Sequence, residues 1–207
     1  MKKIDLKREL KPLYSASPDR AVLVDVPEMQ FLMADGAGDP NTSEEYREAI
    51  EALYTLSYTL KFMIRKGELD IDYSVMPLEG LWWAEEMARF SPEAKEEWLW
   101  RSMIMQPAWV TEDLVDAARR QAAGKKHLPG LSRVVFGRYR EGLSAQILHV
   151  GPYSAEGPTV ARLHRFIEEQ GYLFNGKHHE IYLSDPRRAM PERLKTIIRQ
   201  PVRQSEG

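Results

Sequence analysis

The stretch His178-His179-Glu180-Ile181-Tyr182-Leu183-Ser184 decides how this chain is interpreted, because its alternation predicts a strand with two different faces. Strand side chains alternate between faces, so Glu180 and Tyr182 share one face while Ile181 and Leu183 share the other. The apolar pair predicts contact with a core. Glu180 and Tyr182 therefore lie on an exposed or ligand-covered face, which makes them the first candidates for a functional site.

Composition excludes several classes of function. Hydrophobic residues make up 43% of the 207 residues and charged residues 29%, as in an ordinary globular protein. The formal net charge of −2 gives no electrostatic reason to expect a nucleic acid or a membrane as partner. The absence of cysteine excludes disulfides, thiolate metal sites and cysteine nucleophiles. No secretory signal and no run of about 18 apolar residues occurs, so we expect a cytoplasmic protein.

Two halves of the chain show the same order of predicted elements: strand, strand, helix, strand, strand. In the first half these elements are Ala21–Val26, Met29–Ala34, Thr42–Lys66, Leu69–Met76 and Gly80–Ala84. In the second half they are Arg133–Tyr139, Leu143–Val150, Gly157–Gln170, His178–Ser184 and Leu194–Val202. Thr42 and Ser43 are the N-cap candidates of the first helix, and Gly171 is the C-terminal cap of the second. The repeated order indicates an internal duplication.

A helical insert is predicted between the two halves. Ser91-Pro92-Glu93 has the pattern of a helix start, and the helix that follows runs through Trp98 to about Met105. A second helix runs from the cap Thr111 to about Ala123. The predicted fold is therefore α+β, with two pseudo-symmetric β-α-β-β-type repeats and an antiparallel sheet. The repeats cover about residues 19–90 and 131–203 of a single domain, and the insert covers about 91–130.

Three further patterns carry weaker signals. Residues 1–18 are charged and contain two prolines, so we expect a loosely attached lead-in. Gly36-Ala37-Gly38 has the spacing of a phosphate loop, but neither a further glycine nor a Lys-Ser/Thr pair follows it, and a turn is the better interpretation. Asp70 and Asp72 share a strand face, which is more often a solvated face than a pair of acid–base carboxylates.

Aromatic residues are concentrated in the first half and the insert. Tyr54 and Tyr58 are four residues apart and form a second stripe on the predicted helix. The two tyrosines either border the core with their hydroxyl groups in contact with solvent, or line a ligand site. Trp82 and Trp83 are neighbours in a strand, so they point to opposite faces and either one can line the site. The candidate ligand-binding residues are Tyr54, Tyr58, Trp82, Trp83, Trp98, Trp109, Glu180 and Tyr182.

Several segments of the second half together resemble the GyrI-like family of small-molecule-binding domains. The matching segments are Gln146–Ser154 with its Gly-Pro-Tyr-Ser, Leu163–Tyr172, His179–Pro186 with its Glu-Ile-Tyr-Leu-Ser-Asp-Pro, Leu194–Ile198 and Pro201-Val202. The family includes effector-binding domains of multidrug-responsive transcription regulators. The resemblance covers the second half residue by residue and the first half in layout only.

The resemblance implies a cleft lined by aromatic residues between two repeats, with a carboxylate at the position of Glu180 that meets cationic or polar ligands. The five histidines do not form a metal spacing, and we expect neither a metal nor a cofactor. Residues 1–20 are too short to hold the helix-turn-helix of the regulators, so we expect no DNA binding. The expected partner is a flat aromatic or cationic small molecule.

The residues themselves leave the role of Glu180 open. A carboxylate among aromatic rings attracts cations by direct Coulomb interaction and by the ring quadrupoles, at about 0.5–2 kcal/mol for each ring. The alternative is a structural ion pair with Arg138, Arg140 or Arg199 from a neighbouring strand. The resemblance favours the ligand role.

Common catalytic machinery is missing: there is no cysteine, no Gly-x-Ser-x-Gly, no His-Glu-x-x-His and no P-loop. One branch of the family that this longer form resembles opens strained cyclopropane rings of DNA-alkylating natural products by hydrolysis. On that hypothesis Glu180 activates or orients water, and the hydroxyl of Tyr139 or Tyr182 polarises the carbonyl that receives electrons. The competing hypotheses are a binding protein that sequesters xenobiotics and an interaction protein that inhibits a larger enzyme.

Overall fold

The computed structural model describes residues 2–85, 91 and 94–205. The helices are α1 (Leu6–Glu9), α2 (Lys11–Tyr14), α3 (Glu44–Lys66), α4 (Glu112–Ala123) and α5 (Gly157–Glu169). The strands are β1 (Lys2–Ile4), β2 (Val22–Ala37), β3 (Ile71–Tyr73), β4 (Leu78–Trp83), β5 (Leu99–Gln106), β6 (Val135–Val150), β7 (Tyr172–Phe174), β8 (His178–Tyr182) and β9 (Lys195–Gln204). The α+β class and the antiparallel sheet are confirmed by the pairings of β5, β6, β7 and β8.

The chain divides into two compact units. Unit 1 comprises Met1–Glu9, Met29–Met76 and Trp82–Tyr139. Unit 2 comprises Leu10–Glu28, Pro77–Leu81 and Arg140–Gly207. Strands β2, β4 and β6 each contribute residues to both units. The division into two sequence repeats with an insert remains a separate prediction about how the chain arose.

Unit 1 is built around α3 and the strand order β2-β5-β4. The side chain of Ser43 accepts a hydrogen bond from the backbone N–H of Tyr46 at 3.1 Å, so Ser43 is the N-cap. A stripe at helical spacing is buried on α3, and Gln106 of β5 donates to the Ser57 hydroxyl at 3.2 Å. The buried stripe comprises Ala49, Leu53, Leu56, Leu60 and Ile64. The predicted helices over Thr42–Lys66 and Thr111–Ala123 are confirmed.

The predicted helix over Trp98–Met105 is wrong, because residues 99–106 form strand β5. This strand pairs antiparallel with β2, placing Met105 opposite Phe31 and Trp100 opposite Gly36. The five consecutive residues 102–106 are buried, and so is Trp100, which is separated from them by the partly exposed Arg101. A strand buried on both faces shows no polar alternation, so an apolar run of this length does not distinguish it from a helix. Pro92 and Glu93 of the predicted cap lie outside the described residues.

Two predicted breaks are also wrong. Strand β2 continues through Pro27, and its second part extends beyond Ala34 to Ala37. Strand β6 likewise continues through Glu141 and Gly142, where Gly142 has φ of +78°. Glycine adopts this left-handed conformation without the penalty of a Cβ, so the ladder can continue past it.

Gly36 has a packing role rather than a phosphate-binding one. A methyl group added at this position would lie 2.1 Å from Cζ2 of Trp100. We expect Gly36→Ala to lower the free energy of unfolding by about 1–3 kcal/mol, because the ring cannot move without disturbing the core. Denaturant unfolding measures the change. Gly124→Ala is the control, since its methyl group meets only backbone oxygens at 3.6 and 3.8 Å; equal stability of the two variants would contradict this interpretation.

Unit 2 contains the strand order β4-β8-β9-β7, and β6 also pairs with β9. Helix α5 covers one face of these strands, where Leu163 and Ile167 pack against Ile198 and Val202. Residues Leu10–Glu28 belong to this unit, so the part of the N-terminal segment from Leu10 onward is not a loose lead-in. Leu13 and Tyr14 are 6% exposed, and the Gln146 side chain donates to the carbonyl oxygen of Pro12 at 2.8 Å.

Candidate functional site

Strand β8 separates two sets of polar side chains onto its two faces. Glu180 lies opposite Ile198 of β9, and Tyr182 lies opposite Thr196. Directly opposed residues of an antiparallel pair point to the same face, so Glu180, Tyr182 and Thr196 share the face on which α5 packs. His179 lies opposite Arg199 on the other face. The alternation predicted from the sequence of this strand is confirmed.

Glu180 is held by two neighbours in its own strand. The Tyr182 hydroxyl donates to Oε2 at 2.8 Å, and Nε2 of His178 lies 3.1 Å from Oε1. Burial raises the pKa of Glu180, but the hydrogen bonds from His178 and Tyr182 outweigh it and hold the pKa below its ordinary value. The side chain is 16% exposed. The site therefore contains an ionised, partly accessible carboxylate, and Arg199, one of the alternative partners, instead binds Glu141.

Glu156 lies beside this carboxylate and was not predicted as a site residue. It precedes the first turn of α5 and is 8% exposed. Burial and the neighbouring Glu180 raise the pKa of Glu156 to about 9. Its Oε1 atom is buried and has no hydrogen-bond partner of normal geometry among the described residues, and the Thr196 hydroxyl beside the carboxyl group acts to lower this pKa. The site thus holds a protonated carboxyl next to an ionised one.

Tyrosine rings border the two carboxyl groups. Tyr153 contacts Tyr182 edge to face with ring centroids 5.7 Å apart, and 41% of Tyr153 is exposed. His149 fixes the turn that carries Tyr153: its Nε2 lies 3.1 Å from the Pro152 carbonyl oxygen, and its Nδ1 lies 3.0 Å from the Thr159 hydroxyl. The Gly-Pro-Tyr-Ser turn therefore has a defined position relative to α5.

A second polar cluster occupies the opposite face of the same strands and is fully buried. His179 Nδ1 lies 2.8 Å from Glu141 Oε1, and its Nε2 lies 3.0 Å from Glu79 Oε2. Arg199 donates to the other oxygen of Glu141 at 3.0 Å, and the Tyr14 hydroxyl donates to Glu79 at 2.7 Å. Two carboxylates thus meet two cations. We call Tyr14, Glu79, Glu141, His179 and Arg199 the buried network.

Both nitrogens of His179 face carboxylate oxygens, so the ring carries two protons. Burial lowers the pKa of His179, but Glu141 and Glu79 outweigh it and raise the pKa to about 9. For Glu141, burial raises the pKa and the charges of His179 and Arg199 bring it below its ordinary value. Every member of the network has a partner, which is the condition under which buried charges stabilise a fold.

The second proton on the His179 ring makes the free energy of unfolding depend on pH. The folded chain binds it more tightly than the unfolded chain, so its contribution is complete below pH 6.5 and is lost as the pH rises through about 9. We expect the free energy of unfolding to fall by up to about 3 kcal/mol across this window. Denaturant unfolding of the Glu156→Gln variant measures it, because that variant removes the carboxyl group whose pKa is also raised to about 9. A constant free energy of unfolding across the window would contradict a charged His179.

The predicted aromatic residues of unit 1 form three groups. Trp82 is 3% exposed and contacts Tyr46 and Trp98 with ring centroids 5.8 and 5.5 Å apart. Trp109 contacts Tyr73 at 5.9 Å, and neither Trp109 Nε1 nor the Tyr73 hydroxyl has a partner among the described residues. Trp83 is partly exposed, in contrast to Trp82.

Tyr54 and Tyr58 stack with centroids 6.5 Å apart, and Tyr58 stacks on Phe62 at 6.4 Å. Tyr58 and Phe62 are nearly half exposed, so the stripe is a surface ladder rather than part of the core. Tyr139, the other candidate for polarising a carbonyl, contacts Phe31 in unit 1 with centroids 6.4 Å apart. In unit 2, the structure brings together Glu180 and Tyr182 from the predicted set.

Unit 1 also contains a polar cavity of about 370 Å³ that holds none of the predicted residues. Its lining comprises Lys3, Ile4, Asp5, Arg8, Glu9, Lys61, Asp72, Tyr73 and Ser74. Across residues 2–85, 91 and 94–205, no cluster of His, Asp and Glu has the geometry of a metal site. Within the same ranges, no helix has both the length and the apolar composition that crossing a membrane requires.

Residues 22–203 match the GyrI-like small molecule binding domain. The chain belongs to the GyrI-like family. It is thus a member of a family of small-molecule-binding domains, in agreement with the motifs around Tyr153 and Glu180. A comparison with curated proteins gives no match.

Two solved structures from Listeria innocua are similar to this GyrI-like chain over nearly its whole length. An uncharacterized conserved protein is 45% identical with a TM-score of 0.90, covering 97% of this chain and 100% of the other. A hydrolase is 45% identical with a TM-score of 0.87, covering 98% of this chain and 100% of the other. The EcmrR C-terminal domain is 14% identical with a TM-score of 0.55, covering 90% and 98%. At that identity it shares the fold alone.

Proposed function

We propose that this GyrI-like protein is a cytoplasmic detoxifying hydrolase that opens strained cyclopropane rings in flat, aromatic, DNA-alkylating small molecules. Glu180 activates the attacking water. The observation that carries the proposal is an ionised carboxylate, 16% exposed, held by His178 and Tyr182. The 45% identity to a Listeria hydrolase over 98% of this chain supports hydrolysis rather than binding alone.

The reaction needs few catalytic groups. The oxygen of water forms a bond to a ring carbon, the strained carbon–carbon bond breaks, and its electron pair moves through the conjugated system to a carbonyl oxygen. Water loses one proton and the former carbonyl oxygen gains one, so no other reactant is needed. Glu180 accepts the proton from water, because its low pKa keeps it ionised and its two neighbours fix its orientation.

Ligand recognition in the proposal combines charge and aromatic surface. The Glu180 carboxylate attracts cationic or polar groups, and Tyr153 and Tyr182 offer ring faces and edges to a flat ligand. Further ligand contacts are proposed for the candidate aromatic residues of unit 1, which are Tyr54, Tyr58, Trp82, Trp83, Trp98 and Trp109. Tyr139 is proposed as a hydroxyl that polarises the carbonyl group of the ligand.

The test is incubation of the purified chain with a cyclopropane-containing aromatic electrophile in water enriched in oxygen-18, with analysis by mass spectrometry. We expect a product that has gained one labelled water, formed faster than with heat-unfolded protein. If calorimetry shows saturable binding and no product forms, the hydrolase proposal is wrong and the protein instead sequesters its ligand. If the ligand neither binds nor reacts, and a protein partner is captured, the result would favour the hypothesis that this protein inhibits a larger enzyme.

A further inference from the structure

We propose that Glu156 is the proton donor of this site: Glu156 and Glu180 hold one proton between them, and Glu156 delivers it to the oxygen that receives electrons when the ring opens. The inference rests on the proposed function and extends it to a residue that neither the sequence motifs nor the relatives assign. It gives the two proton transfers of the reaction to two different carboxyl groups.

The first support is geometric. Glu156 is 8% exposed at the start of α5, on the face of the sheet that also carries Glu180, Tyr182 and Thr196. Its carboxyl group hydrogen-bonds to Glu180. Two carboxyl groups at hydrogen-bond distance must share a proton, because two like charges that close cannot both persist in a buried site.

The second support is a buried carboxyl oxygen without a partner. Glu156 Oε1 has no hydrogen-bond partner of normal geometry among the described residues. A buried polar atom without a partner costs about 1–3 kcal/mol, which a ligand atom that pairs with it would recover. A substrate oxygen that accepts the proton from Glu156 would give this atom a partner.

The surrounding charges decide which carboxyl group keeps the proton. Glu180 receives the hydrogen bonds of His178 and Tyr182, whereas no arginine or lysine pairs with Glu156 among residues 2–85, 91 and 94–205. The other titratable groups on the elements around this site are Tyr153 at the turn, His149 on β6 and His164 on α5; burial and His178 lower the pKa of His164. The start of α5 favours a negative charge on Glu156, but burial and Glu180 outweigh it and raise its pKa to about 9.

The division of labour follows from these charges. Glu180 is ionised and can accept a proton from water, whereas the Tyr182 hydroxyl is already engaged in holding Glu180. Glu156 is protonated and can donate. After the reaction the proton has moved from water to Glu180 and from Glu156 to the product, and one transfer between the two carboxyl groups restores the starting state. Two carboxyl groups with opposite protonation states are the pattern expected of an acid and a base.

The test uses the full chain and the variants Glu156→Gln and Glu192→Gln. Glutamine keeps the shape and neutrality of protonated Glu156 but cannot donate a proton to the carbonyl oxygen that receives the electrons. We expect kcat of Glu156→Gln to fall by about 10²-fold or more with KM little changed. We also expect wild-type activity to decline above about pH 9 and the residual activity of the variant to lack that decline. Glu192 is exposed, so Glu192→Gln should behave as the wild type.

A second readout does not depend on turnover. Infrared difference spectroscopy of the wild type at neutral pH should show the stretch of a buried protonated carboxyl, and Glu156→Gln should lack it. Absence of that signal in the wild type, or a Glu156→Gln variant within threefold of the wild-type kcat, overturns the inference. If the wild type forms no product, the proposed function fails, the donor role fails with it, and the infrared signal alone decides whether the pair shares a proton.

Discussion

Replacing Glu180 with glutamine is expected to lower kcat/KM for ring opening by about 10²–10⁴-fold, the range for loss of a general base. The amide can still accept the Tyr182 hydrogen bond, so the variant should fold and bind its ligand. What it loses is the negative charge that takes the proton from water. Steady-state kinetics gives the first quantity, and isothermal titration calorimetry gives the affinity.

The controls for this prediction come from the same strand and the same unit. Tyr182→Phe removes one of the two groups that hold Glu180 and should reduce kcat less than Glu180→Gln does. Glu192→Gln removes an exposed acid and should leave both kcat and affinity unchanged. Turnover by Glu180→Gln at the wild-type rate would show that the carboxylate has no part in the reaction.

Replacing Arg199 with methionine is expected to lower the free energy of unfolding by about 3–5 kcal/mol, the cost of breaking a buried ion pair. Arg199 is 1% exposed and donates to Glu141, to Gln146 and to the carbonyl oxygen of Leu13. Methionine fills much of the volume but leaves those three acceptors without a donor. Denaturant unfolding at neutral pH measures the loss.

Arg188→Met is the matched control, because the Arg188 side chain is 87% exposed and its pair with Asp185 spans 3.8 Å. A surface pair of this kind contributes less than about 1 kcal/mol. Arg199→Lys should be intermediate, since it keeps the charge and loses the planar arrangement of donors. Equal stability of Arg199→Met and Arg188→Met would contradict a stabilising role for the buried network.

The sequence predicted those parts of the fold in which local pattern and tertiary environment agree. Helix α3 has an apolar stripe, a serine cap and a terminal glycine, and strand β8 alternates because one of its faces meets a core. The prediction of a helix at β5 was wrong because this strand is buried on both faces. Burial on both faces removes the alternation of polar and apolar residues on which a strand prediction depends. Pro27 lies within β2 although proline usually ends a strand.

The buried network could not be predicted, because its members are far apart in the chain. His179 meets Glu79 from 100 residues away and Glu141 from 38 residues away. The alternation of β8 predicts that His179 lies on the core face of the strand. No nearby residue in the sequence indicates that a carboxylate lies on each side of its ring. The N-terminal segment was misread for the same reason, since Tyr14 is buried through its bond to Glu79.

The candidate site was predicted in part. Glu180 and Tyr182 followed from strand alternation, and their mutual hydrogen bond confirms that they share a face. Glu156 was missed because an acid next to the start of a helix has an ordinary explanation in the helix dipole. The available signal was its position two residues after Ser154, where the Gly-Pro-Tyr-Ser turn leads into α5.

The central claim is that ring opening takes place at Glu180, and a crystal structure of Glu180→Gln with an intact cyclopropane-containing ligand tests it most directly. We expect the variant to bind its ligand without consuming it, so that the complex can be trapped. We predict that the three-membered ring lies within one water molecule of the residue 180 side chain, with each hydrogen bond about 3 Å long. A ligand bound in full occupancy that neither this side chain nor a water held by it contacts would contradict the account.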